Sequence, residues 1–107
     1  PWGEFFVIHD EPNYKLKRIE VFPGHRLSYQ YHSHRSESWT IIQGKGTLTL
    51  DGKDIKVSVG QNVSIPLKAR HRIKNTGPQK LVFIEVQTGS YFGEDDIVRI
   101  KDDYKRI

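Results

Sequence analysis

The chain has 107 residues, the size of one domain, and we predict a single domain over residues 1–107. Apolar residues make up 36% and charged residues 28%, and no apolar run approaches the roughly 20 residues that a membrane span needs. The formal net charge of +4 comes from basic residues dispersed along the chain without a nucleic-acid-binding motif, so neither a membrane nor a nucleic acid is expected as a partner.

The absence of cysteine rules out disulfides and metal sites built on thiolates. The sequence also shows no basic and apolar leader of the kind that directs secretion. Both features fit a reducing compartment, and we expect a cytoplasmic protein.

Extended segments are predicted along most of the chain, because short apolar or alternating runs are separated by Gly and Pro. In chain order the predicted strands are 4–9, 14–21, 26–32, 38–43, 47–50, 53–59, 62–65, 71–74 and 81–87, and the acidic stretch that starts at 93 is interpreted as a turn followed by a strand. Asp51 and Gly52, between two alternating runs, predict a tight hairpin. Many short strands without a helical period indicate an all-β antiparallel sandwich or barrel.

The most informative stretch is Q-Y-H-S-H-R-S-E at residues 30–37. Residues two apart in a strand share a face, so Gln30 and His32 are expected to point the same way, with Glu37 following past a turn. His71 is a further candidate ligand. Imidazole, carboxylate and amide groups suit one divalent ion such as Zn²⁺, Mn²⁺, Co²⁺ or Fe²⁺. Alternatively, the two histidines of H-S-H form an exposed loop pair and bind no metal.

The spacing around this stretch is regular. Gly24 is followed after five residues by Gln30, after one more by His32, after four by Glu37 and after six by Gly44. These positions follow the pattern G-x5-H-x-H-x4-E-x6-G, except that Gln30 stands where the pattern has its first histidine.

A second spaced pattern follows the predicted hairpin. Gly60, Pro66, His71 and Asn75 fit G-x5-P-x-G-x2-H-x3-N, with Lys68 in place of the central glycine.

Together these two patterns resemble the two motifs of the cupin superfamily. The resemblance implies a cupin double-stranded β-barrel, or jelly roll, with a divalent metal ion. In the family register the ligands would be Gln30, His32, Glu37 and His71, with His34 at the mouth of the pocket.

A narrower resemblance involves Q-x-H-x-H-R-S-E-x-W at 30–39, K-L-K-R-I-E-V-F-P-G at 15–24 and I-E-V-Q-T-G-S-Y-F-G-E-D-D-I-V-R at 84–99. These segments are similar to the cupin part of type II phosphomannose isomerases, where a sugar-nucleotide pyrophosphorylase domain usually precedes it. The resemblance implies a metal-dependent mannose-6-phosphate isomerase that interconverts mannose 6-phosphate and fructose 6-phosphate. The alternatives are a non-catalytic cupin that binds a sugar or sugar phosphate, and another small metal-dependent cupin enzyme.

The implied isomerisation needs a base to move a proton between two carbons, and His34 and Glu85 are the candidates. A sugar-phosphate substrate also needs fixed cations. Arg35 is the first candidate, and then Lys17 or Arg18, since strand alternation turns only one of these two neighbours inward. We also expect a homodimer, because small cupins often pair through sheet edges or outer faces.

Overall fold

The computed structural model describes residues 1–93 and 95–104. Within these ranges the chain forms ten strands and no helix, and so contains no helix that could cross a membrane. The strands are β1 Gly3–Asp10, β2 Tyr14–Val21, β3 Tyr29–Tyr31, β4 Arg35–Gln43, β5 Lys45–Leu50, β6 Lys53–Ser58, β7 Asn62–Ile65, β8 His71–Asn75, β9 Leu81–Gly89 and β10 Val98–Lys101. The prediction of an all-β fold is confirmed.

The strands form two five-stranded sheets. The first sheet has the order β1-β2-β9-β4-β7 and the second has the order β10-β3-β8-β5-β6, and every strand pair is antiparallel. Each sheet contributes buried apolar side chains to one shared core, for example Phe83 and Ile41 from the first sheet and Leu48 and Ile73 from the second. The alternation of apolar and polar residues in the sequence therefore arises because each strand buries one of its two faces.

All nine predicted strands are present, and two of them differ from the prediction by three residues at one end. The segment predicted at 26–32 is regular strand only over Tyr29–Tyr31. The segment predicted to begin at Ser38 begins at Arg35, so Glu37 follows the bend after β3, as predicted, and already lies within β4. The reason is that β4 pairs with β9 from Arg35 onwards, and this long-range contact holds a polar run in strand geometry.

The predicted hairpin at Asp51 and Gly52 joins β5 to β6. Both residues have positive φ, 47° and 83°. These values belong to the two-residue turn whose twist matches that of paired strands, which Asp-Gly favours.

Strand β1 forms a free edge of the first sheet, since it pairs only with β2. Phe5, Phe6, Val7 and Ile8 on this strand are each between 37% and 48% exposed. An apolar edge strand can pair with another chain. The homodimer stays a prediction, and β1 is the expected position of its interface.

Gly46 allows β5 to lie close to β8. A Cβ atom at position 46 would lie 2.4 Å from the carbonyl oxygen of Lys74 and 3.0 Å from a methyl group of Leu81. We expect Gly46→Ala to lower the free energy of unfolding by about 1–3 kcal/mol, measured by urea denaturation, because the backbone must move. Gly77→Ala is the matched control, since there the nearest atom belongs to the flexible side chain of Lys45. Equal effects of the two substitutions would contradict this prediction.

Candidate metal and sugar-phosphate site

On the inner face of the first sheet, the side chains change from apolar to polar or ionisable at the same height along three neighbouring strands. Along β4 the inward residues are, in order from the apolar core towards the start of the strand, Ile41, Trp39, Glu37 and Arg35. On β9 Leu81 and Phe83 give way to Glu85 and Gln87, and on β2 Ile19 gives way to Lys17. The strand register places Lys17 opposite Glu85, and Glu85 opposite Trp39. One end of the interior is therefore a polar layer made by three neighbouring strands.

Three side chains from the two sheets meet at this layer. Glu37 comes from the first sheet, His71 from the second, and His32 directly follows β3 of the second. One potential ligand atom from each lies within 4.8 Å of the others, and all three residues are buried. His32 Nε2 is 3.3 Å from Glu37 Oε2, and His71 Nε2 is 3.9 Å from Glu37 Oε1.

Hydrogen bonds at the far side of each imidazole set its tautomer. His32 Nδ1 is 2.7 Å from the carbonyl oxygen of Asp96, and His71 Nδ1 is 2.9 Å from that of Ala69. A carbonyl can only accept, so Nδ1 carries the proton in both rings. Burial lowers the pKa of His32 to about 4 and lowers the pKa of His71, so both rings are neutral at pH 7. Each Nε2 therefore presents a lone pair, and His32 and Glu37 do not form an ion pair.

The Glu37 carboxylate receives hydrogen bonds from its own strand. Trp39 Nε1 donates to Oε1 at 3.0 Å and Arg35 Nε donates to Oε2 at 3.2 Å. Arg35 is only 4% exposed, and its guanidinium also approaches His32 Nε2 at 3.3 Å. These contacts fix the carboxylate between the two imidazoles.

The residues present fit a divalent metal ion. His71 Nε2 is buried and has no hydrogen-bond partner among the described residues. A buried acceptor without a partner is costly, and here it lies beside a carboxylate and a second imidazole lone pair. Two imidazole nitrogens and one carboxylate suit Zn²⁺, Mn²⁺, Co²⁺ or Fe²⁺. Gln30 lies opposite His71 in the strand register and therefore on the same face of the sheet. Its role as a fourth ligand stays a prediction.

A cavity of about 110 Å³ adjoins this group. Its polar lining consists of Lys17, Gln30, Arg35, Glu37, Glu85 and Arg99. The volume far exceeds the roughly 10–15 Å³ that one water needs. Burial, and after it the neighbouring charge of Glu37, raises the pKa of Glu85 to about 8. Gln87 Nε2 donates to Glu85 Oε2 at 2.6 Å.

The structure separates the remaining candidates. Lys17 faces inward and is 3% exposed, whereas Arg18 faces outward, pairs with Glu20 and has 43% of its side chain exposed. Arg18 is therefore excluded as a candidate for binding a phosphate in this cavity. The side chain of His34 is 57% exposed and is not part of the cavity lining. Its Nδ1 lies 3.0 Å from Oδ1 of Asp96.

Asp96 and Arg99 were missed by the sequence analysis. The backbone carbonyl of Asp96 orients His32, and its carboxylate accepts from the backbone N–H groups of Ser33 and His34. Arg99 lines the cavity from β10. Both lie in the segment that was predicted to form an acidic turn and a strand. Its local sequence does not indicate that it contacts residues more than 60 positions earlier in the chain.

A sequence model of the family described as "Mannose-6-phosphate isomerase C-terminal" matches residues 1–102. The chain belongs to this family. One relative, named mannose-1-phosphate guanylyltransferase, from Escherichia coli, is 45% identical over 106 residues, which are 99% of this chain and 22% of the relative. The chain thus spans about a fifth of the length of the relatives it matches.

Solved structures confirm the cupin fold. An uncharacterised Klebsiella pneumoniae protein with a double-stranded β-helix domain has a TM-score of 0.81 at 18% identity, over 91% of this chain and 83% of that one. The cupin domain of Schizosaccharomyces pombe Cnp3 has a TM-score of 0.77 at 20% identity, over 79% and 63% of the two chains.

The predicted mannose-6-phosphate isomerase activity is wrong. Although the family description contains the word isomerase, the similar full-length relative is an enzyme named as a guanylyltransferase, a transferase. The shared theme is carbohydrate metabolism, and the metal-dependent isomerase reaction is not supported. His34 and Glu85 were predicted as bases for that reaction alone, so no base role is assigned to them here.

We expect His71→Ala to remove most bound metal, because it deletes a ligand whose Nε2 has no other partner among the described residues. His34→Ala is the matched control and should leave metal content unchanged, since His34 lies outside the buried group. Elemental analysis after loading with Zn²⁺, Mn²⁺, Co²⁺ or Fe²⁺ measures both. Loss of metal in His34→Ala but not in His71→Ala would reverse the assignment.

The buried groups also predict a pH optimum of stability for the chelated protein. Below pH 6.5 the unfolded chain protonates His32, whereas the folded chain resists until about pH 4, so the free energy of unfolding decreases as pH falls. Between pH 4.5 and about 8 the folded chain retains a proton on Glu85 that the unfolded chain releases, so that free energy decreases as pH rises.

Above about pH 7 the Glu85 effect is expected to exceed the opposing histidine effect, because the unfolded imidazoles are then mostly neutral. Urea denaturation in the presence of chelator should then show a free energy of unfolding that decreases between about pH 7 and 8. Glu85→Gln should abolish this decrease, and Glu20→Gln on the outer face should preserve it. A Glu85→Gln protein that still loses stability over this range would refute the assignment.

Proposed function

We propose that this chain is a sugar-phosphate-binding cupin domain that holds one divalent metal ion. The observation that carries the proposal is the position of the group His32, Glu37 and His71 beside a cavity lined by cationic side chains. A metal group alone would fit many cupin chemistries, and cations alone would fit any anion. Their combination in one interior favours a ligand that has both oxygens for a metal and a phosphate.

His32, Glu37 and His71 would hold the ion, with Gln30 as the predicted fourth ligand. Such an ion supplies a Lewis-acidic template for sugar oxygens. This chain's own residues prepare the site, since Asp96 and Ala69 direct the two Nε2 atoms inward and Trp39 and Arg35 hold the carboxylate. Ligand-orienting contacts of this kind typically change metal affinity by about 10- to 100-fold when they are lost.

Lys17 and Arg35 would bind the phosphate. Both are almost completely buried, at 3% and 4% exposure, on neighbouring faces of the cavity. A buried cation gains more from an anionic ligand than an exposed one, because less water competes. Arg35 adds positive charge to the cavity wall, while its guanidinium already donates to Glu37 and to the carbonyl oxygens of Phe92 and Gly93.

We infer that the ligand is a mannose phosphate. The support is the relative whose name contains mannose 1-phosphate and of which this chain matches 22%. In that setting the domain would bind the sugar phosphate beside the larger part of a nucleotidyl-transferring enzyme.

The test is calorimetric titration of the metal-loaded protein with mannose 1-phosphate, mannose 6-phosphate and mannose. We expect saturable binding of at least one phosphate, binding of mannose weaker by at least about tenfold, and loss of affinity after chelation that returns on reloading. His71→Ala should behave like the chelated protein, and His34→Ala like wild type. Equal affinity for mannose and its phosphates, or an affinity indifferent to metal, would refute the proposal.

A further inference from the structure

Arg99 stands in the same row as the metal group. In the register of the second sheet Arg99 lies opposite Gln30, and Gln30 lies opposite His71. Residues that are directly opposite across antiparallel strands project to the same face. Arg99 therefore projects inward from β10, an edge strand of the second sheet, and lines the cavity.

Arg99 differs from Arg35 in how its donors are used. Arg35 donates to Glu37 and to the carbonyl oxygens of Phe92 and Gly93. Arg99 Nε is inaccessible to solvent and has no hydrogen-bond partner among residues 1–93 and 95–104. A buried guanidinium N–H normally has an acceptor, and at a cavity wall a bound ligand can supply it.

The charge around the cavity favours an anion as that acceptor. Three cationic side chains, Lys17, Arg35 and Arg99, face two carboxyl groups, Glu37 and Glu85. Lys17 and Arg99 come from opposite sheets, and an anion between them would be held from both sides. The apolar side chains of Trp2 and Ile97 complete that part of the wall and limit access of water.

We propose that Arg99 completes a phosphate-binding subsite with Lys17 and selects a phosphorylated over a neutral sugar. This inference rests on the proposed sugar-phosphate binding and adds the residue that determines specificity. The guanidinium fork would donate Nε–H and one terminal N–H to two oxygens of a phosphate monoester. Arg99 is thus assigned to the ligand and not to the metal.

Arg99→Gln and Arg99→Lys test the assignment in the metal-loaded protein. Arg18→Gln is the matched control, because Arg18 is also a strand arginine but faces outward and pairs with Glu20. We expect Arg99→Gln to weaken binding of mannose 1-phosphate by about ten- to a hundredfold. Arg99→Lys keeps the charge but not the fork and should lose less. Metal content and affinity for mannose should stay at wild-type values in all three variants.

A direct readout on the wild-type protein guards against a variant that fails to fold. Titration with mannose 1-phosphate or with inorganic phosphate should shift the NMR signal of the Arg99 Nε–H group, and titration with mannose should not. An unshifted Arg99 signal, or wild-type affinity in Arg99→Gln, would overturn the assignment while the domain still binds sugar phosphates. Absence of any phosphate binding by wild-type protein would instead overturn the proposed function.

Discussion

The buried carboxylate of Glu37 is the constraint on which the rest of this site depends. Its side chain is 2% exposed, and a buried charge is tolerated only where hydrogen bonds and opposite charge replace water. Trp39 and Arg35 provide both from within the same strand. Because strand residues two apart share a face, the sequence R-S-E-S-W necessarily brings the carboxylate and its two donors together.

The second sheet completes what β4 begins. Two imidazoles approach Glu37 from across the interior, and their outer nitrogens are already committed to backbone carbonyls. The atoms that converge are therefore all acceptors, and the Arg35 guanidinium contacts Glu37 and His32 Nε2 but not His71 Nε2, which has no hydrogen-bond partner among the described residues. A metal ion would join the two sheets at this point and stabilise the folded chain in proportion to its affinity. The polar layer is thus costly to bury alone and favourable when a cation is bound, which explains why a small domain can retain it beside an apolar core.

The fold was largely predictable because it depends on local alternation and on turn residues. Asp51 and Gly52 specify their hairpin, and the period-2 pattern of β2 and β7 sets their bounds correctly. His32, Glu37 and His71 of the candidate metal group were expected from the resemblance of two spaced motifs to cupins, and the ligand role of Gln30 stays a prediction. What could not be predicted depends on contacts distant in sequence. The strand placement of Glu37 needs β9, the orientation of His32 needs Asp96, and the inward face of Arg99 needs its pairing with β3. The choice between Lys17 and Arg18 needed the direction of β2, which alternation alone leaves undetermined.

Function was the least predictable level, and the reason is physical. A cupin interior with two imidazoles, a carboxylate and several cations can bind a sugar phosphate without converting it, because binding needs complementary charge whereas isomerisation also needs a base placed at the reacting carbon. The buried carboxyl of Glu85 lies at the level of Trp39 and is hydrogen-bonded to Gln87, and His34 points out of the cavity towards Asp96. The part of the site that the residues specify most completely is the part that recognises a ligand, namely a metal group, a cationic wall and a cavity between them. The family description names a reaction, whereas the function that we propose from this geometry is the binding of a ligand.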